Sequence, residues 1–138
     1  LPIRQFLHDK KKGWQERGVM LNESGKLAFG FVAAKPPATL KKLPVSDKLY
    51  EYSEASQQVM QHISRHIAKY SGAAMIIDYG YAHGTHGDTL QAVKAHNFHD
   101  LLKDPGTADL SAHVDFASLA AIARDNGVTA YPIVSQGM

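Results

Sequence analysis

At 138 residues, 44% of them apolar, the chain is long enough for one hydrophobic core, and a single domain is the starting expectation. Fifteen Lys and Arg against thirteen Asp and Glu leave a net charge of only +2; with the basic residues scattered apart from Lys10-Lys11-Lys12 and Lys41-Lys42, this excludes the basic footprint of a nucleic-acid binder. No cysteine is present, so disulfides, thiolate zinc sites and a cysteine nucleophile are excluded and a reducing compartment fits, while no apolar run is long enough to span a membrane and no secretory signal pattern opens the chain.

In chain order, residues 3 to 8, 14 to 21 and 26 to 32 are short and aromatic or β-branched. Asn22-Glu23-Ser24-Gly25 separates the last two as a four-residue turn would, predicting a small antiparallel meander. Residues 33 to 49 carry Pro36, Pro37 and Pro44 and read as an extended connector. From Ser53 the period becomes helical: Val59, Met60, Ile63, Ile67 and Tyr70 share one face, with Ser53 as N-cap and Gly72 as stop.

The run from 73 to 79, Ala-Ala-Met-Ile-Ile-Asp-Tyr, predicts a buried parallel strand that delivers polar groups at its carboxyl end, the edge where ligands bind in open α/β sheets. The long segment 80 to 112 follows, with Gly80, Gly84, Gly87 and Asp104-Pro105-Gly106 as turn signals, and connections of that length are usually functional or disordered. Asp115 then caps a helix with face Phe116, Leu119, Ala120 and Ala123, closed by Asn126-Gly127, and residues 128 to 134 read as a further strand in which Pro132 favours an edge. This order predicts an α/β fold with right-handed crossovers. The chain starts at Leu1 rather than Met and stops directly after a strand-like segment, which predicts a piece of a longer protein.

Histidines His83, His86, His96, His99 and His113, with Asp88, gather in or beside the long segment, but their spacing departs from binuclear hydrolase patterns and His62 and His66 lack the glutamate of a zinc helix. No metal ligands are therefore assigned. No nucleophile elbow, phosphate loop or dinucleotide fingerprint occurs.

Six ordered motifs run over essentially the whole chain: Leu1-Pro-Ile-Arg-Gln-Phe6, Ile77-Asp-Tyr-Gly80, Gly87-Asp-Thr-Leu-Gln-Ala-Val93, Asp104-Pro-Gly-Thr-Ala-Asp-Leu110, Ala112-His-Val-Asp-Phe116 and Ser135-Gln-Gly137. In this order they resemble the MidA family of S-adenosylmethionine-dependent protein arginine methyltransferases, which includes an assembly factor of mitochondrial complex I and bacterial relatives. The resemblance implies the C-terminal part of a Rossmann-like methyltransferase sheet, with residues 1–50 an antiparallel β insertion or lid and residues 51–138 an α/β segment of the core. It implies S-adenosylmethionine as cofactor, its glycine-rich turn and ribose-binding acid expected upstream of this chain, so the isolated segment is expected to be inactive. The implied partner is a protein substrate presenting an arginine, with no nucleic acid and no membrane; homo-oligomerisation stays open. The implied location is cytoplasmic in a bacterium, which the Gly-Asp-Thr-Leu-Gln segment favours, and the mitochondrial matrix in a eukaryote.

Holding a planar guanidinium against a methyl donor calls for carboxylates and aromatic walls. Asp78 is the first candidate for catalysis, with Tyr79 or Tyr81 as the wall and Gly80 allowing close backbone approach. Asp88 and Gln91 are candidates for substrate binding or loop closure, and His113 and Asp115 sit where the second helix begins, with helix capping the stronger role for Asp115. Two other classes compete: a non-catalytic protein-interaction domain using the same loop and meander, and, more weakly, a histidine-rich metal-dependent hydrolase.

Overall fold

A computed structural model describes residues 2–82 and 87–137. They divide into two compact units, one of residues 3–52 with 87–112 and the other of 53–82 with 113–137. The whole is a mixed α/β structure with antiparallel sheets.

In the first unit, β1 (Arg4–Asp9), β2 (Gly13–Leu21), β3 (Leu27–Ala33) and β4 (Tyr50–Tyr52) form an antiparallel sheet in the order β3-β2-β1-β4. The predicted meander is present. Its β2–β3 turn is closed by Asn22, whose side-chain oxygen accepts from the amides of Ser24 at 3.0 Å and Lys26 at 2.9 Å, the local bonding that makes Asn a turn residue. Phe6, Leu40 and Tyr50 are the buried core, with Trp14, Leu43 and Tyr52 packed against them. The proline-rich connector contributes Leu40 to that core and accepts the Tyr50 hydroxyl at the Pro44 carbonyl, 2.7 Å away.

The same unit contains a feature the sequence did not announce. Within the segment expected to lack regular structure, β6 (Gln91–Lys94), β7 (Asn97–His99) and β8 (Asp109–Ser111) form a three-stranded antiparallel sheet in the order β7-β6-β8. The β6–β7 turn places Ala95 and His96 at φ 49° and 62°, the left-handed geometry of a tight hairpin, but with none of the Asn-Gly chemistry that normally marks it.

In the second unit, α1 (Glu54–Tyr70) begins at Ser53, whose hydroxyl accepts from the Ser56 amide at 3.2 Å, and ends at Ser71 with φ 64°. The cap is thus Ser71, one position before the expected Gly72, and both residues have positive φ, 64° and 129°. α1 packs on α2 (Phe116–Asp125), around Met60, Leu119 and Ala123 with Phe116, Ile122 and Val128 alongside. Val59 and Tyr70, predicted on the packed face, are exposed. The buried residues of α1 are Met60 and Ser64, the latter with its hydroxyl returned to the Met60 carbonyl at 2.7 Å.

The predicted buried strand over 73 to 79 is corrected. The run belongs to no helix or strand and is exposed, Met75 by 85% and Ile77 by 78%, and among the described residues only the Tyr79 carbonyl at its end accepts a backbone bond, from Val114. A strand needs a neighbour for its amides and a layer for its side chains; the described residues give this run neither. Residues 128–134 are likewise outside any ladder. The expected parallel sheet reduces here to one short pair, β5 (Gly80–Tyr81) with β9 (Val114–Asp115).

Candidate functional site

The β5–β9 pair gathers most of the predicted residues in the second unit. Gly80 lies opposite Val114 and Tyr81 opposite Asp115, and the Val114 amide donates to the Tyr79 carbonyl at 2.9 Å. Tyr79, Gly80, Tyr81 and Asp115 therefore meet at one ladder, with Asp78 before it on one strand and His113 before it on the other. Gly80 is required by close approach: a Cβ there would collide with the Val114 carbonyl and come within 2.7 Å of the Phe116 ring. Asp78 is exposed, and one of its oxygens accepts from the Tyr79 amide at 2.7 Å. That bond fixes the carboxylate at the mouth of the pair. Tyr79 is 83% exposed, whereas Tyr81 is half-buried.

Asp115 does a different job. It is the N-cap of α2, accepting from the Ser118 amide at 3.0 Å. Burial pushes its carboxyl above the ordinary value, and bonds from the Ser118 and Ala117 amides oppose that rise in part. A half-buried carboxylate committed to a helix end is an anchor for β9 and α2.

In the first unit, Gln91 donates to the Ser111 hydroxyl at 3.0 Å, directly across the β6–β8 ladder. Asp88 belongs to a larger polar cluster. Its two oxygens accept from Gln5 at 3.1 Å and from Arg17 at 2.8 Å. Gln5 also donates to Glu51 at 2.8 Å, and Glu51 accepts from the Thr89 amide at 2.9 Å and the Thr89 hydroxyl at 2.6 Å. Gln5 and Glu51 are buried, and the Arg17 side chain is only 10% exposed, with its guanidinium 4.1 Å from the Phe29 ring centre. Hydrogen bonds to Gln5 and Thr89 are what make the buried Glu51 carboxylate tolerable.

Gln5, Arg17, Glu51 and Thr89 were not singled out as site residues from the sequence. Gln5 and Thr89 lie inside quoted motifs, and Glu51 is a lone acid between two tyrosines, Tyr50 and Tyr52. Their pairing across 38 to 83 residues leaves no local trace.

The structure thus brings Asp78, Tyr79, Gly80, Tyr81, His113 and Asp115 into one unit, and Asp88 and Gln91 into the other. Among the described residues no three histidines or acids converge as a metal site would require; His83 and His86 lie outside the described residues. For S-adenosylmethionine the glycines are the test, since a cradle needs open space beside them. The space at Gly80 is filled by Val114 and Phe116, and that at Gly87 by Thr89 and Glu51. At the two glycines that lie in the motifs, Gly80 and Gly87, there is thus no room for a ligand.

Comparison with known proteins completes this description. A family described as "Putative S-adenosyl-L-methionine-dependent methyltransferase" matches residues 1–134. The mitochondrial protein arginine methyltransferase NDUFAF7 of Danio rerio is 36% identical over 141 residues, covering 99% of this chain and 33% of its own length. Its human counterpart is 32% identical over 136 residues, covering 96% and 30%. The chain therefore spans about a third of the length of the curated relatives it matches. A Burkholderia thailandensis protein crystallised with S-adenosyl-homocysteine superposes with a TM-score of 0.72 at 26% identity, over 92% of this chain and 35% of that one.

Proposed function

Since the chain belongs to this S-adenosyl-L-methionine-dependent methyltransferase family, of the MidA type, we propose that it is part of an enzyme that methylates a protein arginine. The observation that carries this is the family match over residues 1–134 of the 138, reinforced by relatives named as arginine methyltransferases. On this reading residues 51–138 belong to a Rossmann-like core and residues 1–50 to an insertion or lid. S-adenosylmethionine would supply the methyl group, and the elements that hold it lie in the part of the relatives that this chain does not span.

The residues here serve the acceptor. Asp78, exposed and oriented by the Tyr79 amide, places a fixed negative charge where a guanidinium can be held, and Tyr79 and Tyr81 offer aromatic faces to the same cation. Asp88, with both oxygens oriented but 55% exposed, is a second fixed carboxylate, and Gln91 braces the sheet beside it. His113 and Asp115 complete the ladder behind Asp78. A role in assembling respiratory complex I, in the mitochondrial matrix or the bacterial cytoplasm, belongs to the same proposal.

The test uses the longer polypeptide, extended to the full length of the relatives, with methyl-labelled S-adenosylmethionine and proteins of the respiratory chain. Label recovered on arginine after hydrolysis is the expected result. Donor binding without transfer would favour a non-catalytic interaction domain, a reading to which the exposed Leu21, Leu27 and Phe31 of the β2–β3 hairpin lend some support. Titration of the 138-residue segment with the same donor should show no appreciable binding.

A further inference from the structure

Asp88 combines two properties that seldom go together. Its side chain is 55% exposed, yet both oxygens are tied, one to Gln5 and one to Arg17. Exposed carboxylates ordinarily sample several rotamers, and holding one still costs entropy. The residues on either side are tied as well: the Gly87 amide donates to the Leu49 carbonyl at 3.0 Å, and Thr89 bonds through both its amide and its hydroxyl. Three of the bonds in this cluster end on one group, the carboxylate of Glu51.

Glu51 is 8% exposed, and a carboxylate so far from water needs a reason to be there. The donors around it supply one. Gln5 and the Thr89 amide both donate to one of its oxygens and the Thr89 hydroxyl to the other, so its whole carboxylate is used. The 2.6 Å hydroxyl bond has the short length of a charge-assisted contact. Space is fitted to the same purpose, because a Cβ on Gly87 would stand 3.2 Å from the Glu51 carboxylate. The glycine lets the segment pass close over it.

Resting on the arginine-methyltransferase reading, we propose that Glu51 is a positioning residue for the acceptor: it fastens residues 87–89 to β4 and, through Gln5, orients Asp88 toward the cationic peptide. Glu51 does not touch that peptide. It acts through Thr89 and Gln5, so its loss should weaken acceptor binding while leaving turnover at saturation nearly intact. A group needed only for folding would lower apparent kcat with the folded fraction and leave KM unchanged.

The experiment compares Glu51→Leu, Glu51→Gln and Thr89→Val in the complete enzyme. Amide hydrogen exchange over residues 87–91 is followed without donor or acceptor, and KM and kcat are measured on an arginine peptide. Glu51→Leu should speed exchange there by about 10-fold or more relative to α2, and raise KM by roughly 10- to 100-fold with kcat within about 3-fold. Thr89→Val, which removes the hydroxyl and its bond to Glu51 but keeps the amide bond, should move both readouts less in the same direction; it carries the test if Glu51→Leu does not fold. Glu51→Gln should restore most of both, since its oxygen accepts from Gln5 and the Thr89 amide while its nitrogen can donate to the Thr89 hydroxyl. Unchanged exchange at 87–91 in Glu51→Leu and Thr89→Val would overturn the proposal, as would a kcat that falls at unchanged KM with no rescue by Glu51→Gln. If the wild-type enzyme transfers no methyl group, the functional reading fails and the acceptor role with it, while the exchange measurement separately reports whether Glu51 holds the segment.

Discussion

Gln5 and Asp88 stand 83 residues apart in the chain, and the side-chain amide of the first donates to the carboxylate of the second across 3.1 Å. The same nitrogen donates to Glu51 at 2.8 Å, so one neutral amide bridges two acids. Arg17 supplies the compensating positive charge at 2.8 Å from Asp88, which makes the cluster dependent on both members of that pair.

The first prediction follows from the burial of Arg17. Among the described residues its Nε has no hydrogen-bond partner, and its side chain is 10% exposed. Asp88→Ala would leave the guanidinium with still fewer acceptors, at a cost of about 1–3 kcal/mol. Asp88→Asn keeps an oxygen in place and should cost less. Urea unfolding reads both, and an Asp88→Ala midpoint equal to wild type would show that Arg17 finds water instead.

Two carboxyls predict opposite responses to pH. Bonding to the Arg4 guanidinium holds Glu16 below the ordinary carboxylate range, against a smaller opposing effect of burial. A depressed folded-state pKa means stabilisation that is present above the ordinary Glu value of about 4.3 and lost as pH falls. Asp115 is shifted the other way, raised by burial. Its folded state holds the proton more tightly than the unfolded chain does, so stability is greatest below the ordinary Asp value of about 3.9 and declines as pH rises through the folded pKa. Glu16→Gln should therefore lag wild type more at pH 7 than at pH 3, by less than about 1 kcal/mol for so exposed a pair. Asp115→Asn, which preserves capping, should gain on wild type between the same two pH values. Denaturant melts at both settle the signs; equal gaps at the two pH values would remove either assignment.

The third prediction concerns the run expected to be a buried strand. Ile76 is 42% exposed, so Ile76→Asp in this 138-residue chain should shift stability by no more than about 0.5 kcal/mol, the usual range for a surface change. A loss of several kcal/mol would mean that the side chain is covered after all.

What was legible in the sequence, and what was not, divides by the range of the interactions. The meander, its Asn22 turn, the Ser53 cap and the helix beginning at Asp115 rest on neighbours within a few residues, and local pattern carries such elements well. The β6–β8 sheet escaped because Ala95 and His96 adopt positive φ without glycine or asparagine. The run 73–79 misled because hydrophobicity states what a strand wants, not whether the described chain provides a neighbour. Site residues followed the same rule. The Asp115 cap lies within three residues of its partner Ser118, whereas the bonds of Glu51 come from Thr89 and Gln5, 38 and 46 residues away.

The last prediction concerns the proposed catalytic anchor. Asp78 is exposed, and its one hydrogen bond within the described residues is from the Tyr79 amide at 2.7 Å; an asparagine oxygen can accept that bond equally well. Asp78→Asn in the complete enzyme should therefore leave the melting temperature and donor affinity close to wild type. The guanidinium, however, would lose a full charge, and methyl transfer should fall by about 10- to 1000-fold, the range for removing one charge-stabilising contact. Phe116→Ala gives the contrasting signature. Its ring packs with Met60, Leu119 and Ala123 and lies over Gly80, but it is only half-buried, so the loss should be about 2 kcal/mol, below the roughly 3–5 kcal/mol of a fully buried ring. Activity should then fall only as folded protein is lost. Thermal melts and single-turnover rates on both variants decide between them: an Asp78→Asn enzyme that melts early yet keeps its rate per folded molecule would make Asp78 part of the scaffold and leave the reading without a catalytic anchor.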